Sequence, residues 1–375
     1  MKILFTGAGT GGHFYPIIAV AEEIRRIAEE EHLIVPKFYY LAPDPYDKEA
    51  LIENDIEFRA TPAGKIRRYF SLLNFFDVFK TFAGLLKAVW QMYAIFPDVV
   101  FSKGGYASFP PLFAARIFGI PVVIHESDSA PGKVNLWAGK FAEHVALSYP
   151  DAARYFKSEK VALIGNPVRR QMLTPQSSGA REFLKLEENV PVVLILGGSL
   201  GAQKINETVL EMLPQLLPKY QVIHQTGKAH YKDVTGTAGV ILAGNQYADR
   251  YRPFPYLNAL AMKMAAGVAD LVVTRAGSAL FEIAAWGLPS IVIPITDSNA
   301  DHQRKNAFTY SHSGAAVVME ESNLAPHVLA SDIIRLMEAK GERAQMSIAA
   351  KAFARPDAAK KIARELLHIA LEHEK

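Results

Sequence analysis

The stretch that most constrains the fold is the glycine-rich segment Thr6–His13, which reads Thr-Gly-Ala-Gly-Thr-Gly-Gly-His. It follows the apolar run Ile3–Phe5, which is typical of a buried strand, and it precedes Pro16 and apolar residues at helical spacing. A strand, a glycine loop and a helix in this order direct free backbone N–H groups and the positive end of a helix dipole at one place. The segment therefore predicts an anion-binding turn, and a tight turn capped by His13 is the structural alternative.

The same order of strand, glycine loop and helix recurs in the second half of the chain. Val192–Leu196 is typical of a buried strand, and Gly197–Ala202 is a second glycine loop. An apolar pattern at helical spacing follows, with Ile205, Val209 and Leu213. Elsewhere short apolar runs alternate with helix-length segments, which favours βαβ units and parallel sheets. The chain is therefore predicted to contain two similar α/β domains.

Composition excludes several classes of protein. The chain has no cysteine, which excludes disulfides, thiolate nucleophiles and zinc–cysteine sites. A net charge of +3 on 375 residues is too weak to predict nucleic acid as a partner. The apolar run after Met1-Lys2 is far too short for the hydrophobic region of a signal peptide. A cytoplasmic location is therefore expected.

Three loops of the first half follow predicted strands. They are residues 7–13, 103–106 and 125–128. The carboxyl ends of parallel strands share one edge of a sheet, and ligands bind at that edge. The titratable side chains in these loops are candidates for proton transfer. Each alone is more often structural, but their shared edge favours a functional group of His13, His125, Glu126 and Asp128.

The segment 65–96 combines basic side chains with many aromatic residues and leucines. Asp77, Lys80 and Lys87 interrupt it, so no stretch approaches the roughly 18 apolar residues of a membrane-spanning helix. Basic residues beside aromatic ones favour a segment that lies on an anionic membrane surface. A pair of core-packed helices is the alternative. The predicted membrane patch comprises Arg67, Arg68, Phe70, Phe75, Phe76 and Trp90.

The second half has residues suited to a nucleotide sugar. The turn Gly277-Ser278 begins a helix capped by Ser278, and its backbone N–H groups can hold a diphosphate with support from Arg275. Glu282 can accept hydrogen bonds from ribose hydroxyls, and its apolar neighbours predict a buried carboxylate. The amide of Gln303 suits sugar hydroxyls because it both donates and accepts. The chain has no Asp-x-Asp triplet, so no obvious ligand pair for a diphosphate-bound metal is present.

A larger set of short motifs occurs in a fixed order from residue 1 to about residue 350. The set is Thr10–His13, Gly104–Tyr106, His125–Asp128 with Pro131-Gly132, Gly165–Arg169, Gly197–Ser199 with Gly201, Ala202 and Asn206, Arg275–Ser278 with Glu282, and Asp301–Gln303 with Asn306 and Ala307. Each motif alone is weak, but the ordered set is specific. It resembles glycosyltransferase family 28, the MurG family of N-acetylglucosamine transferases in bacterial peptidoglycan synthesis.

The resemblance implies a GT-B fold, in which two Rossmann-like, doubly wound α/β domains enclose an interdomain cleft. The implied domains are residues 1–165 for the acceptor and the membrane, residues 166–345 for the UDP-sugar, and a C-terminal helix in 346–375 that packs back on the first domain. The implied reaction is inverting. It moves N-acetylglucosamine from UDP-N-acetylglucosamine to the C4 hydroxyl of undecaprenyl-diphospho-N-acetylmuramyl-pentapeptide, converting lipid I to lipid II.

The resemblance also implies roles for individual residues. The catalytic candidates are His13, Glu126 and Asp128, with His13 preferred as the base because an ordinary imidazole titrates near neutral pH. The implied donor contacts are Thr10, Gly11, Gly12, Arg169, Ser199, Gly277, Ser278, Ala279, Leu280, Glu282 and Gln303. The implied contacts of the acceptor and its diphosphate are Gly104, Gly105, Tyr106, His125 and Asn135.

Two positions depart from the family pattern. Arg275 and Glu282 are seven positions apart where the family more often has eight, so the helix start is expected to be tighter by one residue. His302 stands where many relatives have glutamine.

The expected partners are UDP-N-acetylglucosamine, lipid I, the inner membrane surface at its cytoplasmic face and other cell-wall synthesis proteins, without nucleic acid. No cofactor and no metal are implied. Four alternatives stay open: a diacylglycerol glycosyltransferase, a non-transferring protein that binds lipid I or a UDP-sugar, a UDP-N-acetylglucosamine epimerase, and an NAD-dependent dehydrogenase. The last rests only on the spacing of Gly7, Gly9 and Gly12.

Overall fold

The computed structural model describes residues 1–7, 9–64, 72–197, 202–296, 298 and 301–373, and the side chains of all these except 72–76 and 373. The chain divides into two compact units. The first unit comprises Met1–Arg169 and Arg355–Lys375, and the second comprises Arg170–Ala354.

The described elements alternate along the chain as a doubly wound α/β protein requires. The strands are β1 Lys2–Thr6, β2 Lys37–Ala42, β3 Ile56–Ala60, β4 Val99–Ser102, β5 Val122–Glu126, β6 His144–Leu147, β7 Val161–Leu163, β8 Val192–Leu196, β9 Gln221–Gln225, β10 Tyr251–Phe254, β11 Leu271–Thr274, β12 Ser290–Val292 and β13 Ala316–Val318. The α-helices are α1 Gly11–Glu30, α2 Lys48–Glu53, α3 Leu72–Ile95, α4 Phe109–Ile117, α5 Lys133–Ala138, α6 Ala180–Phe183, α7 Gln203–Leu216, α8 Tyr231–Ile241, α9 Ala259–Val268, α10 Ala279–Trp286, α11 His302–His312, α12 Pro326–Glu338, α13 Lys340–Phe353 and α14 Ala358–His373.

The first unit is built on a parallel sheet with the strand order β3-β2-β1-β4-β5-β6-β7. Its central strands are apolar without alternation, and Ile3, Leu4 and Phe5 of β1 are fully buried, because helices cover both faces of the sheet. The helix α1 packs against α14, whose Ile362 and Leu366 lie in the same core as β1.

The second unit repeats this design with the parallel order β10-β9-β8-β11-β12-β13. A buried polar network joins α7 to two strands. His224 lies 2.9 Å from the Tyr251 hydroxyl and 3.0 Å from Asn206 Oδ1, and the Asn206 amide donates to the Thr226 carbonyl. Burial lowers the pKa of His224 to about 3, so the imidazole is neutral and acts as a structural hydrogen-bonding group.

The two sheets confirm the predicted α/β class, but several local expectations differ. The first unit continues to Arg169 rather than 165, because Asn166 bonds to Lys103 and Arg169 covers the ring of Tyr15. Residues 346–353 belong to the second unit rather than to the C-terminal helix, because Ala350 lies in a core there.

The aromatic segment forms one helix, α3, over its described part. Its inner face carries Gly84, where a Cβ atom would lie 1.8 Å from the carbonyl oxygen of Pro62. Gln91 also lies on this face and accepts a 2.6 Å hydrogen bond from Thr61. The helix is thus fixed to the segment that follows β3. In the described residues no helix is both long and apolar enough to cross a bilayer.

Candidate active site

The three loops predicted to meet in the first unit do meet, because β1 pairs with β4 and β4 pairs with β5. A Cβ atom at Gly7 would lie only 2.9 Å from Cβ of Lys103, and Gly7 has φ +158°. The Lys103 amide donates to the Thr6 carbonyl at 2.9 Å. In this sheet β2 lies on one side of β1 and β4 lies on the other, so the direction in which the strands are added reverses at the β1–β4 pair. The loops therefore lie at a topological switch point, where such sheets bind ligands.

His13 is held at the start of α1. Thr10 precedes the helix with extended backbone, and its side chain makes no capping bond. Instead the Thr10 hydroxyl lies 3.1 Å from Nδ1 of His13, whose side chain is partly exposed. When Nδ1–H donates to this hydroxyl, the lone pair of the imidazole is on Nε2. The loop can therefore orient His13 as a base.

Glu126 is buried, and its carboxylate oxygens accept hydrogen bonds from residues that follow β5. One oxygen accepts from the Asp128 amide at 3.0 Å, and the other accepts from the Gly132 amide at 3.1 Å and from Asn135 Nδ2 at 2.9 Å. Burial raises the pKa of Glu126, and the nearby Asp128 raises it further. The carboxyl group therefore holds residues 126–132 in place through hydrogen bonds. The side chain of Asp128, in contrast, is partly exposed.

Asn135 and the paired glycines complete this scaffold. Gly104 and Gly105 have φ values of +76° and +82°, which favour glycine. A Cβ atom at Gly104 would lie 2.7 Å from the Asn135 amide, which is buried and also donates to the His125 carbonyl. Tyr106 is partly exposed at the same edge. Of these acceptor candidates, Asn135 is a support for the loop rather than part of its surface.

The sequence analysis missed the most buried charged side chain of this site, Lys103. Its Nζ donates to His125 Nδ1 at 2.6 Å, to Ser127 Oγ at 2.6 Å and to Asn166 Oδ1 at 3.0 Å. His125 is fully buried, and its Nε2 lies 2.9 Å from the Gly165 carbonyl. Burial lowers the pKa of His125 well below its usual value, and Lys103 adds to this effect. A lysine between an apolar strand and two glycines was the available signal.

Arg169 lies in the first unit, although it was expected among donor contacts of the second domain. Its guanidinium is 4.2 Å from the ring centroid of Tyr15 on α1, and its Nε is buried. Tyr15 in turn donates to Asp47.

In the second unit the helix α10 begins at Ala279, at the end of the strand β11. Gly277, Ser278 and Ala279 are partly exposed, but Ser278 makes no side-chain capping bond, contrary to expectation. Leu280 is fully buried in a core, so its side chain faces no ligand. Glu282 is only partly buried, not enclosed as predicted. Ser199 lies outside the described residues.

Arg275 is committed to an ion pair rather than free for a diphosphate. It contacts Glu321 at 2.5 Å and donates to the Ile293 carbonyl at 3.1 Å. The other Glu321 oxygen accepts from the amide and hydroxyl of Thr296. Gln303 accepts from the Ile295 amide at 3.1 Å. Arg275 and Gln303 thus position the segment 293–296 after β12.

The helix α3 presents an apolar stripe to solvent. Arg67, Arg68 and Phe70 of the predicted patch lie outside the described residues, as do the side chains of Phe75 and Phe76. Trp90 is 65% exposed, as a surface patch requires. Its neighbours on this face, which are 59% to 70% exposed, were not part of the predicted patch. The apolar stripe comprises Val78, Phe79, Phe82, Leu86, Trp90 and Tyr93.

Comparison with known proteins identifies the fold and the family. A solved structure of MurG from Acinetobacter baumannii shares 25% identity with this chain, with a TM-score of 0.72 and coverage of 98% of this chain and 99% of that chain. UDP-N-acetylglucosamine 2-epimerase from Neisseria meningitidis, at 15% identity and a TM-score of 0.68, shares the fold. The sequence models of the glycosyltransferase family 28 N-terminal and C-terminal domains match residues 3–147 and 192–362.

Two curated relatives carry the name UDP-N-acetylglucosamine–N-acetylmuramyl-(pentapeptide) pyrophosphoryl-undecaprenol N-acetylglucosamine transferase. The protein from Treponema denticola is 34% identical over 348 residues, covering 90% of this chain and 88% of the relative. The protein from Natranaerobius thermophilus is 33% identical over 374 residues, covering 98% of this chain and 99% of the relative.

Two units built on parallel sheets, together with these matches, define a glycosyltransferase of the GT-B class. Within that class the chain belongs to glycosyltransferase family 28. The family predicted from the ordered motifs is confirmed.

Proposed function

We propose that this protein transfers N-acetylglucosamine from UDP-N-acetylglucosamine to the C4 hydroxyl of undecaprenyl-diphospho-N-acetylmuramyl-pentapeptide. The observation that carries the proposal is the match to the Natranaerobius thermophilus transferase, which spans 98% of this chain and 99% of that protein. Both glycine loops and all six strands of the second sheet fall within the matched family domains. The protein would thus act in peptidoglycan synthesis.

The reaction is a displacement at the anomeric carbon with inversion. It needs a base for the acceptor hydroxyl and stabilisation of the departing UDP diphosphate. His13 suits the base because it is partly exposed and because the Thr10 hydroxyl can fix its Nδ1. Asp128 is the second candidate. Glu126 is the least suited of the three, because three N–H groups already occupy its oxygens.

The donor diphosphate would lie at the start of α10, where Gly277, Ser278 and Ala279 offer backbone N–H groups at the positive end of the helix dipole. Glu282, one turn further on, would accept hydrogen bonds from the ribose. The side-chain carbonyl of Gln303 accepts a hydrogen bond from the backbone amide of Ile295. The side-chain NH₂ group of Gln303 is therefore left to donate to a sugar hydroxyl.

We also propose that the apolar stripe of α3 holds the protein on the cytoplasmic face of the membrane. Lys80 and Lys87 are exposed on the same helix, where they would attract anionic lipid. A pocket of about 370 Å³ lies on α4 and α5, and α4 packs against α3. It is lined by Phe109, Phe113, Arg116, Ile117 and Trp137.

An acceptor panel tests the proposed function. The purified protein is incubated with UDP-N-acetylglucosamine labelled in the sugar and with lipid I, diacylglycerol or no acceptor, each in detergent micelles. Label is expected in the lipid phase only with lipid I. Transfer to diacylglycerol would assign the protein to the other lipid glycosyltransferases, and binding of UDP without any transfer would identify a non-catalytic protein.

A further inference from the structure

Among the described residues, Lys103 has a buried amino group with no carboxylate in hydrogen-bond contact. It is 1% exposed, and its Nζ makes hydrogen bonds to His125 Nδ1, Ser127 Oγ and Asn166 Oδ1. Glu126 and Asp128 influence it only through space. A buried charge in this position costs free energy unless something offsets it, so its retention calls for a role.

The three partners of Lys103 differ in the hydrogen bonds that they can still donate. The Nε2 of His125 faces the Gly165 carbonyl and so carries the proton, which makes Nδ1 an acceptor from Lys103. Asn166 contributes its carbonyl oxygen. Only Ser127 has both an oxygen that accepts from Lys103 and a proton of its own to donate.

Ser127 is also the partner that reaches the surface. It is partly exposed, whereas His125 and Asn166 are buried. Within the described part of the chain, no acceptor for its hydroxyl proton is found. A hydroxyl that accepts from an ammonium group is a stronger donor on its outer side, because hydrogen bonds in a chain polarise one another.

We propose that Lys103 and Ser127 form an anion-recognition pair, in which the buried lysine polarises the Ser127 hydroxyl and this hydroxyl donates to a diphosphate oxygen of the lipid-linked acceptor. The proposal rests on the proposed function for the identity of that anion. The pair lies in the first unit at the edge that carries His13, Gly105 and Tyr106, and this placement favours the acceptor over the donor as the source of the diphosphate. Lys103 is a positioning residue, since it would touch no substrate.

Steady-state kinetics with the full-length chain, a lipid I analogue and UDP-N-acetylglucosamine test the pair. Ser127→Ala is expected to raise the acceptor KM about tenfold and to leave the donor KM unchanged, because it removes one charge-assisted hydrogen bond. Ser127→Thr keeps the hydroxyl and is expected to restore the acceptor KM. Lys140→Met, which removes an exposed lysine of the same unit, serves as the matched control and should change neither constant.

A double-mutant cycle separates the pair from two independent effects. Lys103→Met should raise the acceptor KM as Ser127→Ala does, and adding it to Ser127→Ala should raise the KM no further. An unchanged acceptor KM in Ser127→Ala would overturn the proposal even if Lys103→Met failed to fold. A rise in the donor KM alone, or fully additive effects, would overturn it as well.

A binding measurement distinguishes failure of the pair from failure of the proposed function. If the wild-type protein transfers no sugar, the proposed function fails. Calorimetric titration with inorganic diphosphate, in the presence of saturating UDP, then tests the pair alone. About tenfold weaker binding by Ser127→Ala supports the pair. Equal affinities of the two proteins exclude it.

Discussion

His13 and Lys103 occupy the same group of loops but have opposite environments. His13 is partly exposed at the start of α1, where the Thr10 hydroxyl contacts its ring. Lys103 is buried, and its Nζ donates to His125, Ser127 and Asn166. These environments give the two side chains different roles. His13 can exchange a proton with a substrate, whereas Lys103 can only act through its neighbours.

His13→Ala is expected to lower kcat by about 10²–10⁴-fold, because general base catalysis contributes on this scale. Binding of UDP-N-acetylglucosamine should be unchanged when measured by titration, since the start of α10, Glu282 and Gln303, which are proposed to hold the donor, lie in the second unit. Asp128→Asn provides the comparison, with a smaller loss if His13 is the base. A near-normal kcat in His13→Ala would show that His13 does not take the proton.

The burial of Lys103 is expected to make the free energy of unfolding depend on pH. Burial lowers its pKa to about 7, and the nearby Glu126 and Asp128 only partly oppose this effect. An exposed lysine in the unfolded chain titrates near 10.4, so between about pH 7 and 10 the unfolded chain binds more protons than the native protein. Lys103 therefore contributes stability that is fully present above the unfolded pKa and is lost as the pH falls through the folded pKa.

Denaturant unfolding of the wild-type protein and Lys103→Met at several pH values checks this sign. The free energy of unfolding of the wild type should rise relative to the variant from pH 7 to 10, by at most about 1.4 kcal/mol per pH unit. Groups that Lys103 does not influence cancel in the difference between the two proteins. Burial keeps the pKa of His125 well below its usual value, so this imidazole stays neutral in the native protein over this range. A constant difference over this range would mean that Lys103 titrates as an exposed lysine does.

At the scale of elements, α3 has two faces with different functions. Its inner face is fixed to the segment after β3 through Gly84 and Gln91. Its outer face carries the apolar stripe, which no described part of the protein covers. The structure therefore has one packed helix where the alternative was a pair of core-packed helices, and contact of its exposed face with an anionic membrane stays a prediction.

Gly84→Ala is expected to destabilise the protein by about 3 kcal/mol, because the added methyl group would overlap the Pro62 carbonyl. Helix propensity alone would predict the opposite sign, a gain of about 1 kcal/mol. Ala83→Gly, at the exposed neighbouring position, is the control and should cost about 1 kcal/mol. Chemical denaturation measures both, and stabilisation by Gly84→Ala would contradict the close packing of α3.

The outer face of α3 is tested by sedimentation with vesicles that contain anionic lipid. Replacing Phe82, Leu86 and Trp90 by serine should lower the bound fraction severalfold at low ionic strength, because each change removes apolar surface from the interface. Ile34, Ile52 and Ile348 are also exposed apolar residues but lie outside α3, so their serine variants are matched controls. Equal binding by both sets of variants would show that α3 does not contact the membrane.

Much of the architecture could be predicted from periodicity and glycine position. The two strand–glycine–helix units, and the shared edge of the loops after β1, β4 and β5, follow from the regular geometry of parallel sheets. The partners of individual polar side chains could not be predicted. The bonds of Lys103 to Asn166 and of Arg275 to Glu321 join positions 63 and 46 residues apart, and no local pattern encodes such pairs. The partial exposure of Glu282 likewise depends on packing across elements.

At the scale of the whole molecule, the two units divide the proposed chemistry between them. The first unit carries His13, Lys103 and the apolar stripe, and the second carries the start of α10 with Glu282. We expect the displacement to need no metal or cofactor, because backbone N–H groups and a helix dipole can stabilise the departing diphosphate. The reaction is therefore predicted to proceed equally well in the presence of EDTA.

The most direct test is to determine the structure of the product formed by the wild-type protein from UDP-N-acetylglucosamine and lipid I, with and without EDTA. Mass spectrometry and NMR of the released sugar are expected to show one N-acetylglucosamine joined to C4 of N-acetylmuramic acid through a β linkage, since displacement inverts the α-linked donor. A product with an α linkage or another attachment site, or the absence of acceptor-dependent product, would contradict the account.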